Sequence, residues 1–176
     1  MIEKVLRKKK LLIAVLIIAA ALYFVLGRYD VSATKPDPKI VNMILHSIAE
    51  RSIKRNSASL TVPYDVNDKD MYLKGFREYD HMCVQCHGAP GVEASPTGKG
   101  LFPPPPRFPE EKLYEYSLKD IFWVTKNGVK MTGMPAYGPT HEDETIWAVA
   151  IFLDKSRDLS EAEYRSLRNK YSDTHH

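Results

Sequence analysis

Cys83-Val84-Gln85-Cys86-His87 is the stretch from which the rest of the chain can be read. Two thiols three residues apart lie on neighbouring turns of a helix. Both can then reach the vinyl groups along one edge of a porphyrin, and the histidine after the second thiol sits under the iron. C-x-x-C-H is the attachment signal for a c-type haem. Three other readings compete. A thioredoxin-type redox pair does not require the following histidine and belongs in a βαβ pattern, which is missing here. A zinc site needs a second cluster of ligands. A plain disulfide leaves His87 without a role. The chain has two cysteines, so none remains for another task.

About fifty residues downstream stands Gly128-Val129-Lys130-Met131-Thr132-Gly133-Met134-Pro135-Ala136-Tyr137-Gly138. A haem iron held by one histidine needs a ligand on its other face. A thioether on a loop stiffened by glycine and proline can be set there, and Met/His ligation raises the haem potential. The plain alternative is a methionine filling core space. We take Met134 as the ligand over Met131, because Pro135 restrains the chain beside it.

Cys-Val-Gln-Cys-His-Gly-Ala-Pro-Gly, a proline-rich stretch, the Met134 segment and a closing helix with Trp147 together resemble a class I mono-haem cytochrome c. The nearest resemblance is to the module grouped with cbb3-oxidase subunit III. It covers residues 68–156, about half the chain. It implies an all-α cytochrome c fold around one covalent haem c, with Cys83 and Cys86 as attachment points and His87 and Met134 as iron ligands. It also implies electron transfer between respiratory redox proteins or subunits of a respiratory complex, with no small-molecule substrate transformed. The alternative is a haem sensor or peroxidase-like enzyme in which Met134 leaves the iron.

The formal charge of +3 is unevenly spread. Five of the 25 Lys/Arg and one of the 22 Asp/Glu fall in the first ten residues, leaving 20 bases and 21 acids beyond them. The basic excess is therefore a topology signal, not the footprint of a nucleic acid. Residues 11–26 follow it without a charge. We expect residues 1–30 to form a transmembrane anchor, with a cleaved signal peptide as the alternative. Positive-inside logic leaves the N-terminus cytoplasmic and sends the haem domain to the periplasm. A tether of this kind would raise the effective concentration of the domain at membrane partners.

Residues 31–67 read as a juxtamembrane helix, with Ile40, Val41, Ile44, Leu45 and Ile48 at helical spacing, and then an extended linker. That apolar stripe can pack on the protein's own core, on a partner or on a membrane surface. His46 reads as an ordinary polar position. The haem domain spans 68–157. Its first helix, 68–86, contains Gly75; a glycine inside a helix costs about 1 kcal/mol against alanine, which points to a close helix crossing. The resemblance places this crossing against the last helix, so Gly75 and Tyr79 are expected to meet Ala150 and Trp147. Pro103 to Pro106 should supply a carbonyl to the His87 Nδ1–H. The middle helix is expected over 113–127, stopped by Gly128. Trp123 and Arg107 are candidates for haem propionate contacts, a core tryptophan and a solvated arginine being the alternatives. Ser160 and Glu163 have capping-box spacing and open a charged last helix within 158–176, expected to face solvent or a partner. His175 and His176 read as tail residues.

Overall fold

The computed structural model describes residues 2–109 and 115–171. The described chain forms two compact units, residues 1–35 and 36–176. The expected start of the middle helix at Leu113, and His175 and His176, lie outside the described residues.

The first unit is one helix, α1 (Ile2–Val25). It corrects the expectation of a transmembrane anchor. Among the described residues no helix is long and apolar enough to cross a membrane. Charges occupy the start of α1, through Lys10, and its uncharged part is residues 11–25. At about 1.5 Å per residue that part rises roughly 22 Å, against a hydrocarbon core of about 30 Å.

The second unit is built on helices α2 (Lys39–Ser57), α3 (Lys69–Glu78), α6 (Leu118–Asn127), α7 (Asp143–Lys155) and α8 (Glu161–Tyr171). Between α3 and α6 come a π-helical turn (Tyr79–Cys83) and two single turns, α4 (Val84–His87) and α5 (Pro96–Lys99). No strand is assigned among the described residues, as an all-α fold requires.

Helix α7 is the spine. Seven successive residues from Ile146 to Phe152 are buried. A helix apolar all round must be covered on every side, and α7 contributes to both hydrophobic clusters. One side of it packs with Met71, Leu118, Ile121 and Phe122. The other packs with Phe76, Tyr79, Cys83, Phe108 and Tyr164. The close crossing signalled by Gly75 exists, two residues out of the expected register. A Cβ at Gly75 would come within 2.8 Å of the Phe152 Cβ and closer still to the Ala148 carbonyl. Tyr79 packs tilted against Phe152 and edge-on to Phe108, with ring centroids 5.5 and 5.4 Å away. Ala150 and Trp147 sit on the α6 side of the spine, where Trp147 lies flat on Phe122 at 3.8 Å.

Local chemistry sets the helix ends. The Asp68 carboxylate accepts from the N–H groups of Asp70 and Met71 and opens α3. Ser117 and Asp120 form a reciprocal capping box at α6. Ser160 and Glu163 do the same just ahead of α8. Gly128 ends α6 at φ +67°, a left-handed conformation that suits glycine.

Three segments are placed differently from the sequence reading. Residues 60–66 form no helix, as expected of a linker, but alternate side chains, Leu60, Val62, Tyr64 and Val66, pack on the α6–α7 core. Helix α8 is charged outside yet buries Tyr164 against Phe76, at a centroid distance of 5.6 Å. Helix α2 buries Ile53 and Ser57, not its aliphatic stripe. Its C-terminal half is held by a polar knot. Lys54 Nζ donates to the Glu115 carbonyl at 2.8 Å and to Asp120 at 2.7 Å, and the Ser57 hydroxyl also bonds the Asp120 carboxylate. Burial acts to raise the Asp120 carboxyl, but the bonds from Lys54, Ser57 and Ser117 prevail and hold it down at about 2.

Candidate functional site

Cys83 closes the π-helical turn and Cys86 lies in the α4 turn, so both thiols are carried by the continuation of α3. π-Turns inside helices are frequent at functional sites, because the extra residue re-aims the side chains that follow. Both cysteines stand as free thiols. Among the described residues no group of three or more His, Cys, Asp or Glu comes together to hold a metal, which leaves the zinc reading without its donor set. Burial pushes the Cys83 thiol up to about 12, with the Glu78 and Cys86 charges adding to the shift.

His87 is held in one orientation. Its Nδ1 lies 2.7 Å from the Pro106 carbonyl oxygen. A carbonyl accepts only, so Nδ1 carries the proton and the Nε2 lone pair is left free for a ligand. Burial lowers the His87 pKa, partly opposed by this bond, which keeps the ring neutral as ligation requires. The proline run was expected to supply such a carbonyl; the structure identifies Pro106. Its neighbour Phe108 donates its N–H to the His87 carbonyl at 2.9 Å, so imidazole and backbone are clamped by the same strand of loop. Ser95 N–H bonds the Gln85 carbonyl at 2.9 Å, and a Cβ on Gly98 would stand 2.8 Å from the Cys86 Cα. The loop after the motif is wrapped tightly onto it. The Tyr79 hydroxyl closes the wrap by donating to the Gly88 carbonyl at 2.7 Å.

The methionine loop forms a small knot of its own. Val129 N–H bonds the Met134 carbonyl at 3.2 Å, and Thr132 Oγ1 donates to the Val129 carbonyl and accepts from Met134 N–H. Gly128 lets this knot close: a Cβ there would lie 2.7 to 2.8 Å from the backbone of residues 134–136. Within it the two methionines part. Met131 stands at φ +60° and is 79% exposed, while Met134 is half-buried. Two observations bring this loop to the motif. Gly133 packs on the Leu101 side chain of the proline-rich loop. Burial and the charges of Cys83 and Cys86 raise the Tyr137 phenol pKa, placing that ring within electrostatic reach of both thiols.

The residues thus fit a covalent haem. Two free thiols at the right spacing would hold it, a tautomer-locked imidazole would ligate its iron, and a half-buried thioether lies on a loop drawn to the same place. Arg107 is paired with Glu93 at 3.0 Å. Four contributions went unread in the sequence: the Tyr79–Gly88 bond, the Leu101–Gly133 packing, the Tyr137 ring, and the α8 clasp. In the clasp, the Tyr164 hydroxyl donates to Asp80 at 2.6 Å and Arg168 Nε stands 3.3 Å from the same carboxylate. The spacing of Tyr164, Leu167 and Tyr171 was the available signal for α8.

A family profile described as cytochrome C oxidase, cbb3-type, subunit III matches residues 70–153. The match spans α3 to α7 and both candidate ligand segments, and supports a c-type cytochrome module with a haem-based electron-carrying role there. No curated protein and no solved structure matches the chain.

Proposed function

We propose that this chain carries single electrons on one haem c, attached through Cys83 and Cys86 and ligated by His87 and Met134. The observation that carries the reading is the His87 ring. It directly follows two free thiols three residues apart, and the Pro106 carbonyl fixes its proton on Nδ1. A c-type haem supplies a one-electron couple at its iron. The chain's own residues do the rest. Pro106 orients the imidazole and makes it a stronger donor. Cys83, Phe108, Tyr79 and Phe152 keep water from the attachment side. The Gly128 knot holds the Met134 backbone.

The haem module is the 68–157 stretch, with residues 36–67 and α8 built onto it. His87 and Met134 together would leave the iron no open position, which disfavours a sensor or peroxidase. The partners are redox proteins, and a place as the haem subunit of a larger oxidase-type complex is supported by the profile match. The module works on the export side of the membrane. Basic residues followed by the fifteen uncharged residues of α1 have the order and core length of an export signal.

The test is haem staining of the denatured full chain, produced with a haem-attachment system, beside a pyridine haemochrome assay. One covalent haem per chain is expected, with Cys86→Ala retaining little of it. Colourless protein, or full haem content in that variant, would overturn the reading.

A further inference from the structure

Helix α2 is docked through its C-terminal half, and its N-terminal half stands largely bare. Ile53 and Ser57 are its buried residues, and they face α6 through the Lys54–Asp120 knot. Ile44 and Ile48 precede them by nine residues each. At about 100° per residue, nine residues is half a turn, so both point directly away from the body. Ile40 and Leu45 lie beside them, and all four are between 38% and 59% exposed. Four aliphatic side chains in one stripe, away from the core that holds the helix, need a cover.

The charges on that side are all of one sign. Arg51 and Arg55 follow Ile44 and Ile48 by seven residues, about two turns, so they continue the same line. Both are exposed, with no ion-pair partner among the described residues. Glu50 is the only carboxylate in α2; it lies off this line, 3.2 Å from His46 Nε2. The outward face is therefore aliphatic in the first half of the helix and cationic in the second.

We propose that α2 lies flat on an anionic lipid surface, with Ile40, Ile44, Leu45 and Ile48 in the acyl boundary and Arg51 and Arg55 on the headgroups. An apolar face ending in unpaired arginines is the amphipathic chemistry that such a surface binds. A second copy fits less well, because pairing two such stripes puts arginines against a helix face with no carboxylate. The surface stands apart from the haem reading, since none of these residues touches the candidate ligands. It also needs no membrane-spanning segment.

A photo-reactive benzophenone side chain placed at position 44, or at 42 on the opposite exposed side, tests this in the full chain. The probe is phosphatidylcholine vesicles with and without phosphatidylglycerol, and adducts are read by mass spectrometry. We expect lipid adducts from position 44, few from 42, and a clear dependence on phosphatidylglycerol. Arg51→Gln with Arg55→Gln should cut the position-44 adducts about 25-fold, at roughly five-fold per charge. Equal labelling at 44 and 42, no lipid adduct at 44, or adducts joining two copies of the chain would each overturn the proposal.

Discussion

Replacing Gly75 by alanine should separate two effects that act in opposite directions. Alanine in a helix interior gains about 1 kcal/mol over glycine. Against that, the new methyl would stand 2.8 Å from the Phe152 Cβ and nearer to the Ala148 carbonyl. Ordinary carbon contacts lie at about 3.5 to 4.0 Å. The obstructing atoms are backbone and Cβ of fully buried residues on α7, so no side chain can swing away. Helices α3 and α7 must instead move apart by about 1 Å, loosening Phe76, Tyr79 and Phe152 together. Overpacking of this kind costs up to about 3 kcal/mol. The net is a loss of about 2 kcal/mol, or a fall in Tm of about 7 °C for a unit of this size. Gly100→Ala is the control, because a Cβ there meets nothing nearer than 3.5 Å. The assay is thermal and guanidinium unfolding followed by circular dichroism, with all variants in the same ligation state. If Gly75→Ala is as stable as the parent, or gains the 1 kcal/mol of helix propensity, the tight α3–α7 crossing is wrong.

Met134→Ala should open the iron and lower its midpoint potential, while Met131→Ala should leave both nearly unchanged. A redox titration in the reverse order reassigns the ligand to the exposed methionine. Asp120 is the main acid-sensitive joint between α2 and α6. Its folded pKa is held at about 2, below the unfolded value of about 3.9, so its contribution is present above pH 4 and lost as pH falls towards 2. That difference corresponds to about 2.5 kcal/mol. Asp120→Asn should lose about this much at neutral pH and flatten the stability profile between pH 4 and 2. An unchanged acid limb, measured by urea unfolding across that range, refutes the assignment.

The amino-acid sequence by itself determined the parts whose chemistry is local. The spacing of Cys83, Cys86 and His87 is a property of consecutive residues. So are the caps at Asp68, Ser117 and Ser160, each satisfied within a few residues, and the stop at Gly128. The need for a close approach at Gly75 was legible too, because an unfavourable residue inside a helix asks for a reason. Tertiary structure decided everything that depends on which surface meets which. It chose the Pro106 carbonyl among neighbouring candidates and moved the Gly75 contact to Ala148 and Phe152. It turned the aliphatic side of α2 outward, because Lys54 and Ser57 on the other side meet the buried Asp120 carboxylate some sixty residues away. Caps and turns involve a handful of backbone atoms near in sequence, whereas a docked face is settled by the summed burial and pairing of residues far apart in it.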